Sequence, residues 1–160
     1  DNPQLDCRIE GLEHKSPAVV IVDRSFRIKK KSKIFRNRSR EIFIFIQTNN
    51  KIKEEYFKKI GVNIIKLQKS DNLKNDISEI YFFLKQLGFN RILLESGVKY
   101  INEVLKCNLI KNFYLFKSSF NLKNKGKNNT KINLIRKLKT TIKNKVRINL
   151  NGDSLYKIEL

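Results

Sequence analysis

The sequence predicts an α/β fold with a mostly parallel central sheet, an antiparallel C-terminal hairpin and helices on both faces. Short, continuously apolar runs alternate along the chain with stretches whose apolar residues recur at helical spacing. The C-terminal stretch alternates apolar and polar side chains around an Asn-Gly pair, which is a strong hairpin signal. With 160 residues the chain can hold one domain with a real core, so we expect a single domain over residues 1–160.

The N-terminal part of the chain supplies two predicted strands. Residues 1–8, DNPQLDCR, are expected to be extended because their proline disfavours helix at the residue before it. The apolar run at residues 17–23 ends in an acid and predicts a central buried strand, and residues 41–48 predict a second strand. Between them, residues 27–40 form the densest basic run, whose lack of apolar periodicity predicts a solvated loop.

The middle of the chain adds a helix, a strand and a second helix. Residues 53–60 suit a short helix that ends at Gly61, and residues 62–67 predict a third strand. Residues 76–87 place apolar side chains at helical spacing and are followed by a glycine, so they predict an amphipathic helix. We interpret the aromatic residues at 81–83 as core rather than as a platform for stacking bases.

Residues 91–95 predict a buried strand that turns directly into a helix. The apolar run ends in Glu95, and a helical pattern over residues 98–107 follows at once. Glu95 would then lie at the carboxyl end of a central strand, the edge at which ligands bind in open α/β sheets. Gly97 at the helix start would let a ligand approach backbone N–H groups. The alternative is that Glu95 and Ser96 only cap the helix.

The C-terminal part predicts a further strand and the hairpin. Residues 110–116 have a composition typical of strands. Residues 121–131 are polar and expected to be mobile, and residues 132–138 suit a short helix or turn. Residues 146–150 and 155–160 alternate on either side of the Asn-Gly pair and predict two paired strands.

The formal net charge of +20 is the most prominent feature of the composition. Attraction to phosphate grows with the number of Lys and Arg residues, so the run at 27–40 could bind RNA or another polyanion. A compositional cause competes, because Lys, Asn and Ile, whose codons are rich in A and T, are abundant throughout. Lys is spread over nearly every segment rather than concentrated with Arg and aromatic residues on one element, so we favour the compositional cause and do not expect a nucleic-acid partner.

Composition also argues against several classes of protein. No apolar run approaches the roughly 20 residues that cross a bilayer, and the first residues do not resemble a signal peptide, so we expect a soluble, cytoplasmic protein. Cys7, Cys107 and His14 are too few for a usual zinc site, so we expect no metal, and they leave little scope for a triad with a histidine base. The glycine fingerprints of standard dinucleotide and nucleoside triphosphate sites are missing.

Three motifs together carry a family resemblance: DNPQLDCR at residues 1–8, AVVIVDRSFRI at 18–28 and LLESG at 93–97. In that order they resemble an Asp-Asp-Pro-x-Leu-Thr-x-Arg motif, a valine-rich strand that ends in Asp with an Arg nearby, and a Val-Glu-Gly-Gly turn. These are motifs of the reductase domain of the bifunctional riboflavin-biosynthesis deaminase/reductase, the RibD type. Their order and spacing match along almost the whole chain, and the resemblance implies a dihydrofolate-reductase-like fold.

The resemblance also implies which residues bind ligands. The substrate would contact Leu5, Arg8 and Glu95. The cofactor, NADPH, would contact Asp1, Arg24, Gly97, Val98, Lys99, Tyr100 and Ile101. Arg24 stands where the family often has a cofactor-contacting Ser, and we expect it to pair with the 2′-phosphate of NADPH because of its charge. Arg8 could pair with phosphate or a carbonyl oxygen, and Glu95 could accept from ribose hydroxyls or uracil N–H groups. No catalytic residue is assigned.

The implied activity is NADPH-dependent reduction of 5-amino-6-(5-phosphoribosylamino)uracil to the ribitylamino product, carried out by a homodimer. In the family a strand and a helix with further site residues would precede Asp1, so we expect this sequence to lack them, and a covalent deaminase domain could also precede it. The sequence departs from the family's Leu-Val-Asp-Glu at residues 109–112 and from its Ala-Pro at residues 118–119. Two alternatives stay open: a basic α/β module that binds RNA or another polyanion, and a degenerate reductase fold without catalysis.

Overall fold

The computed structural model describes residues 2–120 and 144–160. The chain divides into two compact units, Asp1–Gln86 and Leu87–Leu160. Each unit carries a three-stranded sheet, which is parallel in the first unit and antiparallel in the second. The features predicted at residues 121–131 and 132–138 lie outside the described residues, and the single domain stays a prediction.

The parallel sheet of the first unit is built from β1 (Val19–Val22), β2 (Ile42–Ile46) and β3 (Val62–Lys66), in that order. β2 pairs with both neighbours, and all five of its side chains are buried. Because successive side chains of a strand point to opposite faces, this apolar run requires cover on both faces. The strand predicted at residues 17–23 forms, but its predicted central position is wrong, since β1 has a neighbour on one side only among the described residues.

The three predicted helices form as α1 (Lys51–Lys59), α2 (Leu73–Gln86) and α3 (Val98–Lys106). At the start of α1, Asn50 Oδ1 accepts from the Lys53 N–H at 3.0 Å, and Glu54 Oε1 accepts from the Asn50 N–H at 3.2 Å. This reciprocal arrangement satisfies backbone donors that have no partner within the helix. After α1, Gly61 adopts a φ of +80°, which glycine reaches without strain, and the chain turns into β3.

The buried stripe of α2 consists of Ile77, Ile80 and Leu84. Phe83 also faces inward, and its ring meets that of Phe45 in β2 edge to face, with centroids 5.6 Å apart. The prediction of a core position is wrong for Phe82, which is 64% exposed, and Leu87, the last residue of the helix predicted at 76–87, is 48% exposed. Phe82 lies off the helix face that carries the buried stripe, and Leu87 follows the last helical residue.

The basic run at residues 27–40 is not simply the solvated loop that the sequence predicts. It contains a short 3-10 helix, Lys33–Phe35, in which Ile34 and Phe35 are buried. The ring of Phe35 lies 4.9 Å from that of Phe57 in α1, measured between centroids. Two adjacent apolar residues anchor this segment to the core, although they are too few to create a periodic pattern.

The strand predicted at residues 91–95 does not form. These residues pair with no strand in the described part of the chain, and Leu93 is 81% exposed. An apolar run becomes a strand only where its backbone N–H and C=O groups find a neighbouring strand. Glu95 therefore lies in an irregular segment before α3 and not at the carboxyl end of a buried strand.

The antiparallel sheet of the second unit is built from β4 (Asn112–Lys117), β5 (Asn144–Lys145) and β6 (Ser154–Glu159), in the order β4-β6-β5. Phe113 pairs with Ile158, which is fully buried, so one face of this sheet is covered. Tyr114 and Phe116 point to the other face and are exposed. The strand predicted at residues 110–116 and the α/β class, with a parallel sheet and an antiparallel hairpin, are confirmed.

The C-terminal hairpin forms with a shifted register. The Leu150 carbonyl accepts from the Asp153 N–H at 3.1 Å, and the two residues between them, an Asn-Gly pair, have φ values of +50° and +95°. This is the turn that the pair predicts. Simple pairing from such a turn would place Ile148 opposite Leu155, but Leu155 accepts instead from Val146, at 2.9 Å. The chain therefore bulges before the turn, and the strand predicted at residues 146–150 is wrong, because the first strand of the hairpin is β5 at Asn144–Lys145 instead.

Candidate active site

The N-terminal segment, residues 2–8, carries the predicted substrate residues Leu5 and Arg8. Leu5 has a φ of +53°, a left-handed conformation that is uncommon for residues other than glycine. Its side chain packs against the hydrophobic core of the first unit. Leu5 thus anchors the segment to the core, and its contact with a substrate stays a prediction.

Arg8 extends into solvent, with 79% of its side chain exposed. Its Nε lies 3.5 Å from Oδ1 of Asp6. The Asp6 side chain is 19% exposed, but the Arg8 end of the pair is in water, which screens the attraction. The guanidinium can therefore turn towards an anionic ligand at small cost, as the predicted role requires.

Arg24 follows β1 at the carboxyl edge of the parallel sheet. Its Nε donates to Gln47 Oε1 at 2.6 Å and lies 3.0 Å from Asp76 Oδ2, and its Nη2 donates to the Ser70 carbonyl. Its Nη1 takes part in no hydrogen bond with the described residues. These contacts orient Arg24 and leave part of its guanidinium for a ligand. Its contact with the cofactor stays a prediction.

Asp76 in α2 is the buried member of this network and is 1% exposed. Its Oδ1 accepts from Gln47 Nε2 at 2.9 Å, whereas Oδ2 receives no hydrogen bond, because the Arg24 Nε–H points at Gln47. Burial raises the pKa of Asp76 above its ordinary value, and the charge of Arg24 and the Gln47 hydrogen bond oppose this rise. Sequence reasoning missed the network, although an Asp four residues before Ile80, on the apolar stripe, was a usable signal.

A cavity of about 470 Å³ lies at the same edge of the sheet. Its lining residues are Gln68, Lys69, Ser70, Asn75 and Glu79. Ser70 connects it to the network above, because its carbonyl accepts from Arg24. The carboxyl edge of a parallel sheet is where ligands bind in open α/β folds. The sequence did not indicate this cavity, since its lining residues form no motif.

In the second unit, Glu95 is exposed and Gly97 is the residue before the first turn of α3. The Gly97 carbonyl accepts from the N–H groups of Tyr100, at 3.0 Å, and Ile101, at 3.2 Å. The Ser96 hydroxyl donates to the same carbonyl at 3.2 Å, so it does not cap the helix. No side chain of the described residues caps the first N–H groups of α3, which contradicts the interpretation of Glu95 and Ser96 as caps.

The start of α3 is also sterically open. A Cβ atom placed on Gly97 would meet no heavy atom within 4 Å. Lys99 is exposed, whereas Val98, Tyr100 and Ile101 are half-buried. Uncapped N–H groups at an open helix start suit a phosphate or another anion. The predicted contacts of Gly97, Val98, Lys99, Tyr100 and Ile101 with a cofactor stay predictions.

Residues 2–120 and 144–160 contain neither a metal-binding cluster nor a helix suited to crossing a membrane. No cluster of three or more His, Cys, Asp or Glu side chains there could hold a metal ion. None of the helices in this part of the chain combines the length and apolar character that a membrane crossing needs. Asp1, which is predicted to contact the cofactor, lies outside the described residues.

Comparisons with solved structures show the same fold elsewhere. The structure is similar to Acinetobacter baumannii RibD in its form 2, with a TM-score of 0.67 and 17% sequence identity over 99% of this chain and 43% of that chain. Form 1 of the same protein gives a TM-score of 0.58 at 17% identity, over 88% of this chain and 36% of that one. This chain therefore spans less than half the length of the RibD structures that it matches. No curated protein matched the sequence significantly.

The family assignment comes from the sequence itself. The family model described as the RibD C-terminal domain matches residues 1–143. That range contains all three motifs on which the resemblance was recognised. The chain belongs to the RibD C-terminal domain family.

Proposed function

We propose that this chain is a reductase domain that uses NADPH to reduce 5-amino-6-(5-phosphoribosylamino)uracil to its ribitylamino product in riboflavin biosynthesis. The match of the RibD C-terminal domain family over residues 1–143 carries this proposal. A fold by itself does not specify chemistry, so the proposal also depends on residues that suit the two ligands.

The described residues fit a phosphate-bearing cofactor in two places, one in each unit. In the second unit, the uncapped start of α3 offers backbone N–H groups without a covering side chain. In the first unit, Arg24 is held by Gln47 and Asp76 and keeps Nη1 outside these hydrogen bonds. The proposed cofactor residues are Asp1, Arg24, Gly97, Val98, Lys99, Tyr100 and Ile101. When bound, NADPH would supply a hydride.

The proposed substrate residues suit the chemistry of a phosphoribosyl pyrimidine. The exposed guanidinium of Arg8 can form charge-assisted hydrogen bonds with phosphate or with a carbonyl oxygen. The exposed carboxylate of Glu95 can accept hydrogen bonds from ribose hydroxyls or uracil N–H groups. Leu5 would add an apolar contact. We also propose a homodimer and a covalent deaminase domain, which the family resemblance implies.

In the proposed reaction, the ribosyl ring first opens to give an imine between C1′ and the amino nitrogen. Carbon C1′ then gains a hydride, and the imine nitrogen gains a proton, which gives the ribitylamino group. The role of the protein is to hold the two ligands in contact and to compensate the charge of their phosphates. We assign no side chain as the proton donor.

A direct assay tests the proposal. Native purified protein is mixed with NADPH, and loss of its near-ultraviolet absorbance is followed with and without the substrate. We expect oxidation only in the presence of substrate, faster with NADPH than with NADH if Arg24 contacts the 2′-phosphate. A protein that neither binds nor oxidises NADPH under these conditions would overturn the proposal.

A further inference from the structure

Arg40 is the buried arginine of the basic run and is 8% exposed. Its Nη1 donates to the carbonyl of Leu5, and its Nη2 donates to the carbonyls of Gln4 and, at 3.3 Å, Ile34. A guanidinium presents its N–H donors in a rigid fork, so one side chain can hold two successive carbonyls of an irregular segment. Burial lowers the pKa of Arg40, and the nearby Asp6 carboxylate opposes this effect. The group nevertheless stays charged, as arginines in proteins do.

Other side chains join the same two parts of the first unit. Asn37 Nδ2 donates to Ser16 Oγ at 3.2 Å, and that oxygen accepts from the Cys7 N–H at 3.0 Å. At the other end, the Lys33 N–H donates to Asn2 Oδ1 at 2.9 Å. The basic run thus contacts the N-terminal segment directly through Lys33 and Arg40, and Asn37 contacts it by way of Ser16.

The conformation of Leu5 explains why such contacts are needed. Its φ of +53° is unfavourable for a residue with a Cβ atom and persists only where the surroundings hold it. Without the bond to its carbonyl, we expect the segment to relax towards the extended backbone that its proline favours. Such a change at Leu5 would redirect the chain that leads to Arg8.

We propose that Arg40 is a positioning residue that holds the Gln4 and Leu5 carbonyls and thereby fixes the direction in which Arg8 is presented to the substrate. The expected effect of Arg40 on substrate kinetics rests on the proposed function, whereas its expected effect on the backbone of residues 4–8 does not. The arginine at the end of the basic run thus serves the substrate segment rather than a polyanion.

Hydrogen exchange of the native protein tests the conformational part. Arg40→Met is compared with Arg38→Met, which removes the same charge from an exposed neighbour in the same run. We expect the hydrogen-bonded amide of the segment at residues 4–8 to exchange about 10-fold faster or more in Arg40→Met, because a charged hydrogen-bond donor is lost there. The Cys7 amide, which donates to Ser16, is the sharpest probe. Equal exchange in the two variants would overturn the proposal.

Arg40→Lys is the control that distinguishes a local change from a general loss of stability. It keeps the charge but not the fork, so exchange should rise in residues 4–8 alone and by less than in Arg40→Met. A uniform rise across the first unit in Arg40→Lys would overturn the proposal, because it would assign Arg40 to global stability.

Kinetics test the catalytic consequence. In Arg40→Met, we expect KM for the phosphoribosyl substrate to rise about 10-fold or more, since Arg8 is misplaced, while KM for NADPH is little changed. Equal increases in both KM values would contradict a role in substrate positioning. If the wild-type protein has no turnover, the proposed function fails, and the hydrogen-exchange comparison still decides the role of Arg40.

Discussion

In the first unit, β2 buries all five of its side chains, whereas in the second unit β4 leaves Tyr114 51% exposed and Phe116 69% exposed. Both strands are rich in apolar residues. Among the described residues of the second unit, only Val104 and Ile158 are buried hydrophobic residues. The difference shows that apolar content produces a core only where another layer covers the strand.

The segments that carry predicted site residues differ in a related way. In the first unit, side chains hold them: Arg40 binds the carbonyl of Leu5, and Asp76 and Gln47 hold Arg24. In the second unit, the start of α3 is shaped mainly by backbone hydrogen bonds to the Gly97 carbonyl. The first unit therefore offers oriented charges, and the second offers open backbone donors.

The largest expected effect separates the two cores. Phe57→Ala removes a fully buried ring from the first unit and should cost about 3–5 kcal/mol of unfolding free energy, because it leaves a cavity. Phe116→Ala, in the second unit, should cost no more than about 0.5 kcal/mol, because its ring is already in water. Denaturant titrations of both variants measure this, and equal losses would contradict the contrast between the units.

Glu95 is expected to matter for substrate and not for stability. Glu95→Gln should lower kcat/KM by roughly 10- to 150-fold, because the substrate donors lose a charged acceptor, with little change in NADPH affinity. Steady-state kinetics measure this, with Glu159→Gln as a matched control on an exposed acid of the same unit. Wild-type kcat/KM in Glu95→Gln would show that the residue is misassigned.

Alanine substitutions at two glycines of the second unit are expected to have different effects, one on backbone strain and the other on ligand binding. Gly152→Ala should destabilise the protein by about 1 kcal/mol or more, because φ is +95° and a Cβ would come 3.3 Å from Ser119 Oγ. Gly97→Ala has open space and an ordinary φ, so stability should hardly change, while NADPH affinity should fall. Thermal unfolding and NADPH titration check the pair, and full NADPH affinity in Gly97→Ala would argue against close approach of the cofactor.

The smallest expected effects concern pH and two buried carboxylates of the first unit. Burial raises the pKa of Asp76, so its stabilising contribution is fully present below about pH 3.9, its unfolded value, and is lost as pH rises through the folded pKa. Burial would also raise the pKa of Glu54, but the Lys66 hydrogen bond, the Asn50 N–H and the charges of Lys66 and Lys58 outweigh it and lower the pKa. Its contribution is therefore present above about pH 4.3 and is lost as pH falls through the folded pKa.

Denaturation at a series of pH values checks these opposite signs. Asp76→Asn should reduce the loss of stability on raising the pH, and Glu54→Gln should reduce the loss on lowering it. Glu159→Gln, in the second unit, should change the profile least, because solvent screens its exposed pair with Lys157. If Asp76→Asn and Glu54→Gln changed the pH dependence of the unfolding free energy in the same direction, the assigned environments would be contradicted.

Local patterns were sufficient for much of the fold. The apolar run of β2, the glycine after α1 and the Asn-Gly turn were each readable because the cause lies within a few residues of the effect. The strand predicted at residues 91–95 was wrong because its formation depends on a neighbouring strand, which a local pattern cannot supply. The strand predicted at residues 146–150 was also wrong, because the bulge before the turn leaves no local signal.

The site was predictable only in part. Arg8, Arg24 and Glu95 were identified from motifs, and the structure shows where each of them lies. The partners that hold two of the predicted site residues are distant in sequence: Arg40 binds the carbonyl of Leu5, and Asp76 pairs with Arg24. A charged residue in a basic run or on a helix gives no local sign of which remote backbone or side chain it will contact.

Transfer of a labelled hydride tests the proposed reductase activity most directly. Native protein is incubated with the phosphoribosylamino substrate and with NADPH that carries deuterium at both C4 positions of its nicotinamide ring, and the product is examined by mass spectrometry and NMR. We predict a ribitylamino product with one deuterium at C1′, because that carbon must receive the hydride. Absence of this product, or a product whose C1′ carries only hydrogen, would contradict the proposed reduction.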